Sequence, residues 1–243
     1  MSDSLGDRMK RNYEDRARHY LIRRMPVVVR LDGKAFHTLT RGCTKPFDAA
    51  FADAMLDASL AVFDEAQGCK AAYIQSDEAS FLLSDFDTLQ TDAWFDNNKS
   101  KIESIAASCM TAHFSASLGR IGLFDARAFN LPREEVANYF LWRIKDWERN
   151  SVAMYAQSCF SPKQLHGKGR ADQHEMLHSV GRNWATDIPE RFRNGTWLVR
   201  VDGRVVTKMD ILPVYASVAE VVDRVLAERA SISRGDEVSE KTA

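Results

Sequence analysis

Apolar and polar positions along the chain switch between two periods, and the switches mark the elements. Val27-Val28-Val29-Arg30-Leu31-Asp32-Gly33 is a β-branched run ending in an acid, which predicts a buried strand over 26–32. Residues 47–66 place Phe47, Phe51, Met55, Ala58 and Val62 at helical spacing, and Gly68 follows as a stop signal. Tyr73-Ile74-Gln75-Ser76-Asp77-Glu78 then opens two short strands, 70–76 and 79–84, joined by a tight turn at Asp77-Glu78. A second helix is predicted over 94–113, with Phe95, Ile102, Ile105, Cys109 and Met110 on one side, and a fourth strand over 121–130. The order is β-α-β-β-α-β, the ferredoxin-like arrangement of an α+β fold.

The remainder reads as helices followed by a hairpin. Residues 5–20 predict a short basic helix. Pro132 suits the first position of a long helix reaching about Cys159, and another helix covers about 170–180. Asp202-Gly203 is a two-residue turn signal between strands at 196–201 and 204–208. An amphipathic helix spans 212–230, and the polar tail from Ser231 is expected to be disordered. The expected division is a catalytic core with its basic N-terminal helix (1–130), helices and a hairpin packed on it (131–210), and a C-terminal helix with tail (211–243).

This order has a chemical consequence. A right-handed crossover makes the first and second strands run in the same direction, and the third returns as hairpin partner of the second. The end of strand one and the turn after strand two therefore meet at one sheet edge, where Asp32 and Asp77 converge. A carboxylate at such an edge is costly to desolvate unless a cation accompanies it. Mg²⁺ typically takes one or two carboxylates together with phosphate oxygens. The neighbouring stretch Gly33-Lys34-Ala35-Phe36-His37 can offer successive backbone N–H groups to a polyphosphate.

Bulk properties narrow the class. The chain has 243 residues, 45% hydrophobic and 28% charged, which is ordinary for a soluble globular protein. No apolar run approaches the roughly 18 to 20 residues of a membrane span. The polar, charged N-terminus does not read as a secretory signal, so a cytoplasmic protein without membrane attachment is expected. The four cysteines are scattered with no CxxC pair, which argues for buried free thiols over a zinc ribbon or redox dithiol. Net charge is −1, which excludes a generally basic nucleic-acid coat, but residues 1–30 hold eight Lys/Arg against four Asp/Glu, a local +4 (8 − 4).

Several motifs together resemble the tRNA-His guanylyltransferase superfamily, in particular its bacterial and phage 3′-to-5′ polymerases. They are Val29 to His37, Lys45-Pro46, Gln75 to Phe81, Phe124 to Arg127, Leu141-Trp142-Arg143, Lys163 to Lys168 and Gly195-Thr196. The resemblance runs from about Gly6 to about Arg200. It implies a polymerase-type palm on the ferredoxin-like core. It further implies that Asp32, the Gly33 carbonyl and Asp77 hold two Mg²⁺, with Glu78 completing the catalytic acids. Nucleotide binding is implied for Asp32, Gly33, Lys34, Ala35, Phe36, His37, Lys45, Asp48, Ser76, Asp77, Lys101 and Asn150. RNA phosphates are assigned to Arg8, Lys10, Arg11, Lys163 and Lys168. The implied activity is nucleotide addition to the 5′ end of tRNA, with ATP or GTP activating a 5′-monophosphate and GTP donating, in a homotetramer. Glu148-Arg149-Asn150-Ser151 stands where eukaryotic members carry His-Ile-Asn-Asn, which favours template-directed 5′-end repair over strict selectivity for tRNA-His. The competing functional readings are a palm-type nucleotidyl cyclase, which would need no RNA, and a non-catalytic RNA-binding module.

Two other patterns compete for attention. His174-Glu175-Met176-Leu177-His178 matches the HExxH zinc motif, but Trp184 occupies the third ligand position of the extended spacing, so an ordinary helix is the better reading. Tyr139, Phe140, Trp142 and Trp147 lie on one long helix, where their spacing fits core packing better than base stacking.

Overall fold

The computed structural model describes residues 4–201 and 203–227. Six strands form one antiparallel sheet: β1 (Val27–Gly33), β2 (Cys69–Gln75), β3 (Glu78–Leu83), β4 (Phe124–Asn130), β5 (Thr196–Val201) and β6 (Arg204–Lys208), in the order β4-β1-β3-β2-β5-β6. The first four strands have the ferredoxin-like order. The hairpin joins the core by extending its sheet, β5 pairing with β2 from Ala71↔Val199 to Ile74↔Thr196.

The main helices are α1 (Ala49–Glu65), α2 (Lys99–Leu118), α3 (Arg133–Cys159), α4 (Arg170–Ser179) and α5 (Tyr215–Ala227). Strand alternation sends Val27, Val29 and Leu31 to one face of the sheet, where they join Phe63, Phe81, Met110 and Phe114 beneath α1 and α2. Val28, Tyr73, Leu82 and Trp197 point to the other face, against Phe140 and Ile144 of α3 and Val218 and Val222 of α5. Fully burying each such side chain contributes about 1.5–3 kcal/mol. A third cluster, with Val152, Tyr155, Leu177 and Trp184, joins the far end of α3 to α4.

Several boundaries differ from the sequence reading, for identifiable reasons. Phe47 lies outside α1, because Asp48 caps the helix by accepting from the Phe51 N–H (2.9 Å). Phe95 precedes α2, which begins only after the Asn98 cap and runs on to Leu118; Trp94–Asn97 is a separate turn. Ile105, expected inward, is 39% exposed. Pro132 is the cap of α3 rather than its first residue. The basic N-terminal helix is broken into three short turns ending at Ala17, with no buried residue to hold it as one helix. Short helical turns at Phe36–Leu39, Pro162–Leu165, Trp184–Asp187 and Glu190–Arg193 carried too little periodicity to be read. The C-terminal helix begins at Tyr215 rather than at 212; its expected end at 230 and the expected disorder from Ser231 lie outside the described residues, as does Asp202.

Candidate active site

Register brings the predicted acids together. Asp32 stands opposite Glu78 in the β1–β3 ladder, and the Gly33 N–H donates to the Asp77 carbonyl (3.0 Å). Asp32 and Asp77 line one cavity of about 420 Å³, with Ser76, Arg143, Asp146 and Asn150. Burial holds the Asp77 carboxyl above its ordinary value, and the nearby Asp32 charge adds to this, against hydrogen bonds from Ser76 and from its own N–H. A carboxyl raised by burial, with a second acid beside it, is one that a divalent cation would stabilise in its ionised form.

The site rests on aromatic packing. Phe36 sits among Phe51, Phe114 and Phe124 at centroid distances of 6.0, 5.3 and 5.0 Å. A Cβ on Gly33 would lie 2.6 Å from the Phe36 ring, so only glycine fits there with the ring in place. Two non-glycine residues at the site adopt the left-handed region, Ala35 (φ 56°) and Ser76 (φ 46°). Each such conformation costs on the order of 1–3 kcal/mol, and such strain clusters at functional sites.

Glu78 is placed differently from the other acids. It is 8% exposed and bound by a fork from Arg143, Nε to Oε1 (2.6 Å) and Nη2 to Oε2 (2.8 Å). Arg143 Nη2 also reaches Asp146 (3.1 Å), which in turn pairs with Arg149. Burial raises the Glu78 carboxyl and Arg143 pulls it back. Gln75 Nε2 donates to the same carboxylate (3.3 Å). Glu78 thus orients its neighbours through Arg143 and does not present a free oxygen pair beside Asp32.

On the other side of the Gln75–Asp77 wall lies a second cavity of about 370 Å³. Phe47, Phe51, Met55, Ile74, Trp147 and Phe192 make it apolar, while His37, Thr40, Lys45, Asp48 and Arg191 supply polar groups. Phe47 and Phe192 stack at 4.9 Å and 6°. An apolar slot with aromatic walls suits a planar heterocycle, and its polar rim suits phosphates and sugar.

The other predicted residues divide by position. The N–H groups of Gly33 and Lys34 are taken by the carbonyls of Asp77 and Leu123. The phosphate cradle therefore narrows to Ala35, Phe36 and His37, at a helix start where intrahelical partners are lacking. Lys45, Asp48, Ser76 and Asn150 line the two cavities. Lys101 does not join them within this chain. Glu103 bonds the Ala128 N–H and Thr111 the Phe124 N–H, so α2 starts at the Val27–Asn130 end of the sheet, opposite the acids. Arg8, Lys10 and Arg11 lie on the N-terminal turns, which lead to Leu21 and Ile22, tied to Asn97 and Asn130 at that far end. Lys163 and Lys168 are exposed just beyond α3. His174 of the HExxH stretch packs edge-on against Trp184 (5.9 Å), the residue standing at the third ligand position. Among the described residues, no group of three or more His, Cys, Asp or Glu side chains is arranged for a metal ion.

Sequence reasoning gave no role to Arg143, Arg191 and Phe192, and read Trp147 as core packing, whereas it also lines both cavities. Arg143 was visible only inside a motif, and Arg191 and Phe192 reach the site from a helical turn that periodicity does not mark.

Comparison with known proteins accords with this geometry. A bacterial Thg1-like protein solved in complex with ATP superposes with a TM-score of 0.86 at 39% identity, covering 91% of this chain and 99% of that one. A second such structure, in complex with GTP, gives 0.79 at 37%, covering 92% and 99%. The tRNA(His) guanylyltransferase of Schizosaccharomyces pombe is 30% identical over 196 residues, 72% of this chain and 73% of that protein. The sequence model of Thg1, tRNAHis guanylyltransferase, matches residues 6–132, more than half the chain and every one of the acids that converge at the sheet edge. By sequence and by fold, this chain belongs to the tRNAHis guanylyltransferase family of nucleotidyltransferases.

Proposed function

We propose that the protein adds nucleotides to the 5′ end of tRNA in the 3′-to-5′ direction, as repair of truncated ends or maturation of tRNA-His. The observation that carries this is the junction of an acidic cavity with an apolar one at the Gln75–Asp77 wall, in a chain that superposes on an ATP complex.

The chemistry runs in two balanced steps. An oxygen of the tRNA 5′-monophosphate attacks the α-phosphorus of ATP or GTP, and pyrophosphate leaves. The 3′-hydroxyl of an incoming GTP then attacks the activated 5′ phosphorus, and the nucleoside monophosphate leaves as the new bond forms.

The donor set fits Mg²⁺. Two carboxylates, Asp32 and Asp77, and the Gly33 carbonyl are hard oxygen ligands too few to enclose an ion, so nucleotide phosphates would complete the coordination. Two ions there would stabilise the attacking and leaving oxygens. The apolar cavity holds the activating base against its aromatic wall of Phe47, Phe192 and Trp147. The N–H groups of Ala35 to His37 and the charge of Lys45 orient the phosphates, which offsets negative charge spreading in the transition state. We read the molecule as a palm over 1–130 with its supporting helices and hairpin, working in the cytoplasm as a homotetramer. Among the described residues, no helix is long and apolar enough to cross a membrane.

The test is incubation with Mg²⁺, ATP, labelled GTP and a 5′-monophosphorylated tRNA lacking its first nucleotide. The expected product is longer at its 5′ end by one or more nucleotides, and dependence on the opposing base identifies repair. A cyclic nucleotide made from triphosphate alone would overturn this reading in favour of a cyclase, and salt-sensitive RNA binding without transfer would favour a binding module.

A further inference from the structure

The four aromatic residues expected in the core of α3 do not behave alike. Tyr139, Phe140 and Trp147 are 9%, 0% and 4% exposed, but Trp142 is 53% exposed. Leaving an indole in water forgoes a large part of what its burial would contribute, and the surroundings of this one are rigid. The Arg143 guanidinium lies over its ring at 4.4 Å, and Tyr139 meets it edge-on at 5.9 Å. Arg143 is itself locked by its fork to Glu78 and its bond to Asp146, and Tyr139 is locked to Ser80 of β3 by a 2.8 Å hydrogen bond.

Position gives this ring a direction. Arg143, directly against it, lines the cavity that holds Asp32 and Asp77. The Tyr139 side of α3 packs on Phe129 of β4, while Phe140 packs on Trp197 of β5. Trp142 touches Tyr139 on the β4 side of α3, where the strand residues of this face are Arg30 and Asp32 of β1 and, opposite them, Arg127 and Asp125 of β4, the last two ion-paired at 3.5 Å. The apolar cavity lies beyond Gln75–Asp77, on the other side of the acids. An exposed aromatic face backed by a locked arginine that itself lines the cavity of Asp32 and Asp77 has the chemistry of a base-stacking platform beside phosphate sites.

We propose that Trp142 stacks a nucleobase of the second reactant, the one whose oxygen or phosphorus meets the activated group at Asp32 and Asp77, and that Glu78 and Arg143 are positioning residues that hold the indole in place. This rests on the transfer reading above but is tested apart from it. The base has two sources, the incoming nucleoside triphosphate or the terminal nucleotide of the RNA.

The experiment compares wild-type protein, Trp142→Ala and Trp142→Phe, measuring kcat and separate KM values for GTP and for the truncated tRNA. Tryptophan emission is titrated with each ligand without turnover. Trp142→Ala should raise one KM about tenfold with kcat little changed, and Trp142→Phe, which keeps an aromatic face, should return it to within about threefold. Which KM moves identifies the source of the base. Arg143→Lys, which keeps the charge and loses the planar fork, should raise the same KM. Quenching that is lost in Trp142→Phe, in a protein that transfers nothing, would refute the transfer reading while supporting the platform. Both KM values unchanged within about twofold in Trp142→Ala would overturn the proposal. So would a change in sedimentation state with unchanged KM, because it would assign the ring to a contact between copies of the chain.

Discussion

The two cavities that share the Gln75–Asp77 wall are built from opposite materials. One is walled by Phe47, Phe51, Met55, Ile74 and Phe192; the other by Asp32, Asp77, Glu78, Arg143 and Asp146. The apolar cavity is assembled from segments that need only to be hydrophobic and near. The charged one depends on a ladder register and a locked ion pair, and a one-residue slip of β1 would turn Asp32 to the other face. The contrast suggests a division of labour, binding on one side and chemistry on the other, and substitutions should separate the two.

The largest effect is expected at the acids. Asp32→Ala or Asp77→Ala should lower transfer by roughly a thousandfold or more while circular dichroism stays native; normal turnover in a folded variant would refute the assignment. Next is the ion pair behind them. Arg143→Ala leaves a buried Glu78 charge without its partner, which should cost about 3–5 kcal/mol and lower the melting temperature by roughly 10 °C. A melting temperature within a degree of wild type would mean that the fork contributes little.

The apolar side should respond in KM. Phe192→Ala removes one face of the stacked pair, so the KM for the activating nucleotide should rise about tenfold with kcat nearly constant. A loss in kcat alone would place Phe192 with the chemistry instead. The smallest effect belongs to Asp48. Its cap hydrogen bonds from Phe51 and Thr44 hold its carboxyl below the ordinary value. Asp48→Ala should cost about 1 kcal/mol. A carboxyl depressed on folding stabilises the protein above its unfolded pKa, and that stability is lost as pH falls through the lower folded value. The wild-type advantage over the variant should therefore be full near pH 7 and fade below about pH 4. Denaturant midpoints across that range would reveal it.

Much of this was legible in the chain. The β-α-β-β-α-β order, the hairpin at 196–208 and the meeting of Asp32 with Asp77 follow from periodicity, turn residues and crossover handedness, all of which act over short distances or obey a topological rule. The aromatic residues of α3 mark where such reading ends. Tyr139, Phe140, Trp142 and Trp147 have one helical spacing and one hydrophobic character, yet three are buried and one is not. Periodicity tells which residues share a side of a helix, and only the sheet's edge decides how far cover extends over them.

Lys101 and Phe192 show the same limit. A lysine near the start of a helix after β3 carries no sign of which end of the sheet that helix begins at; the Glu103–Ala128 and Thr111–Phe124 bonds settle that. Phe192 has no local pattern, and it reaches Phe47 across 145 positions (192 − 47). What the sequence by itself determined was the set of elements, their connection and the acids at one edge, because hydrophobic period and chain chirality are local constraints. What tertiary structure alone decided was which charges are locked in pairs, which aromatic ring faces water and which distant side chains wall the cavities, because those depend on packing between segments far apart in the chain, whose meeting no local pattern encodes.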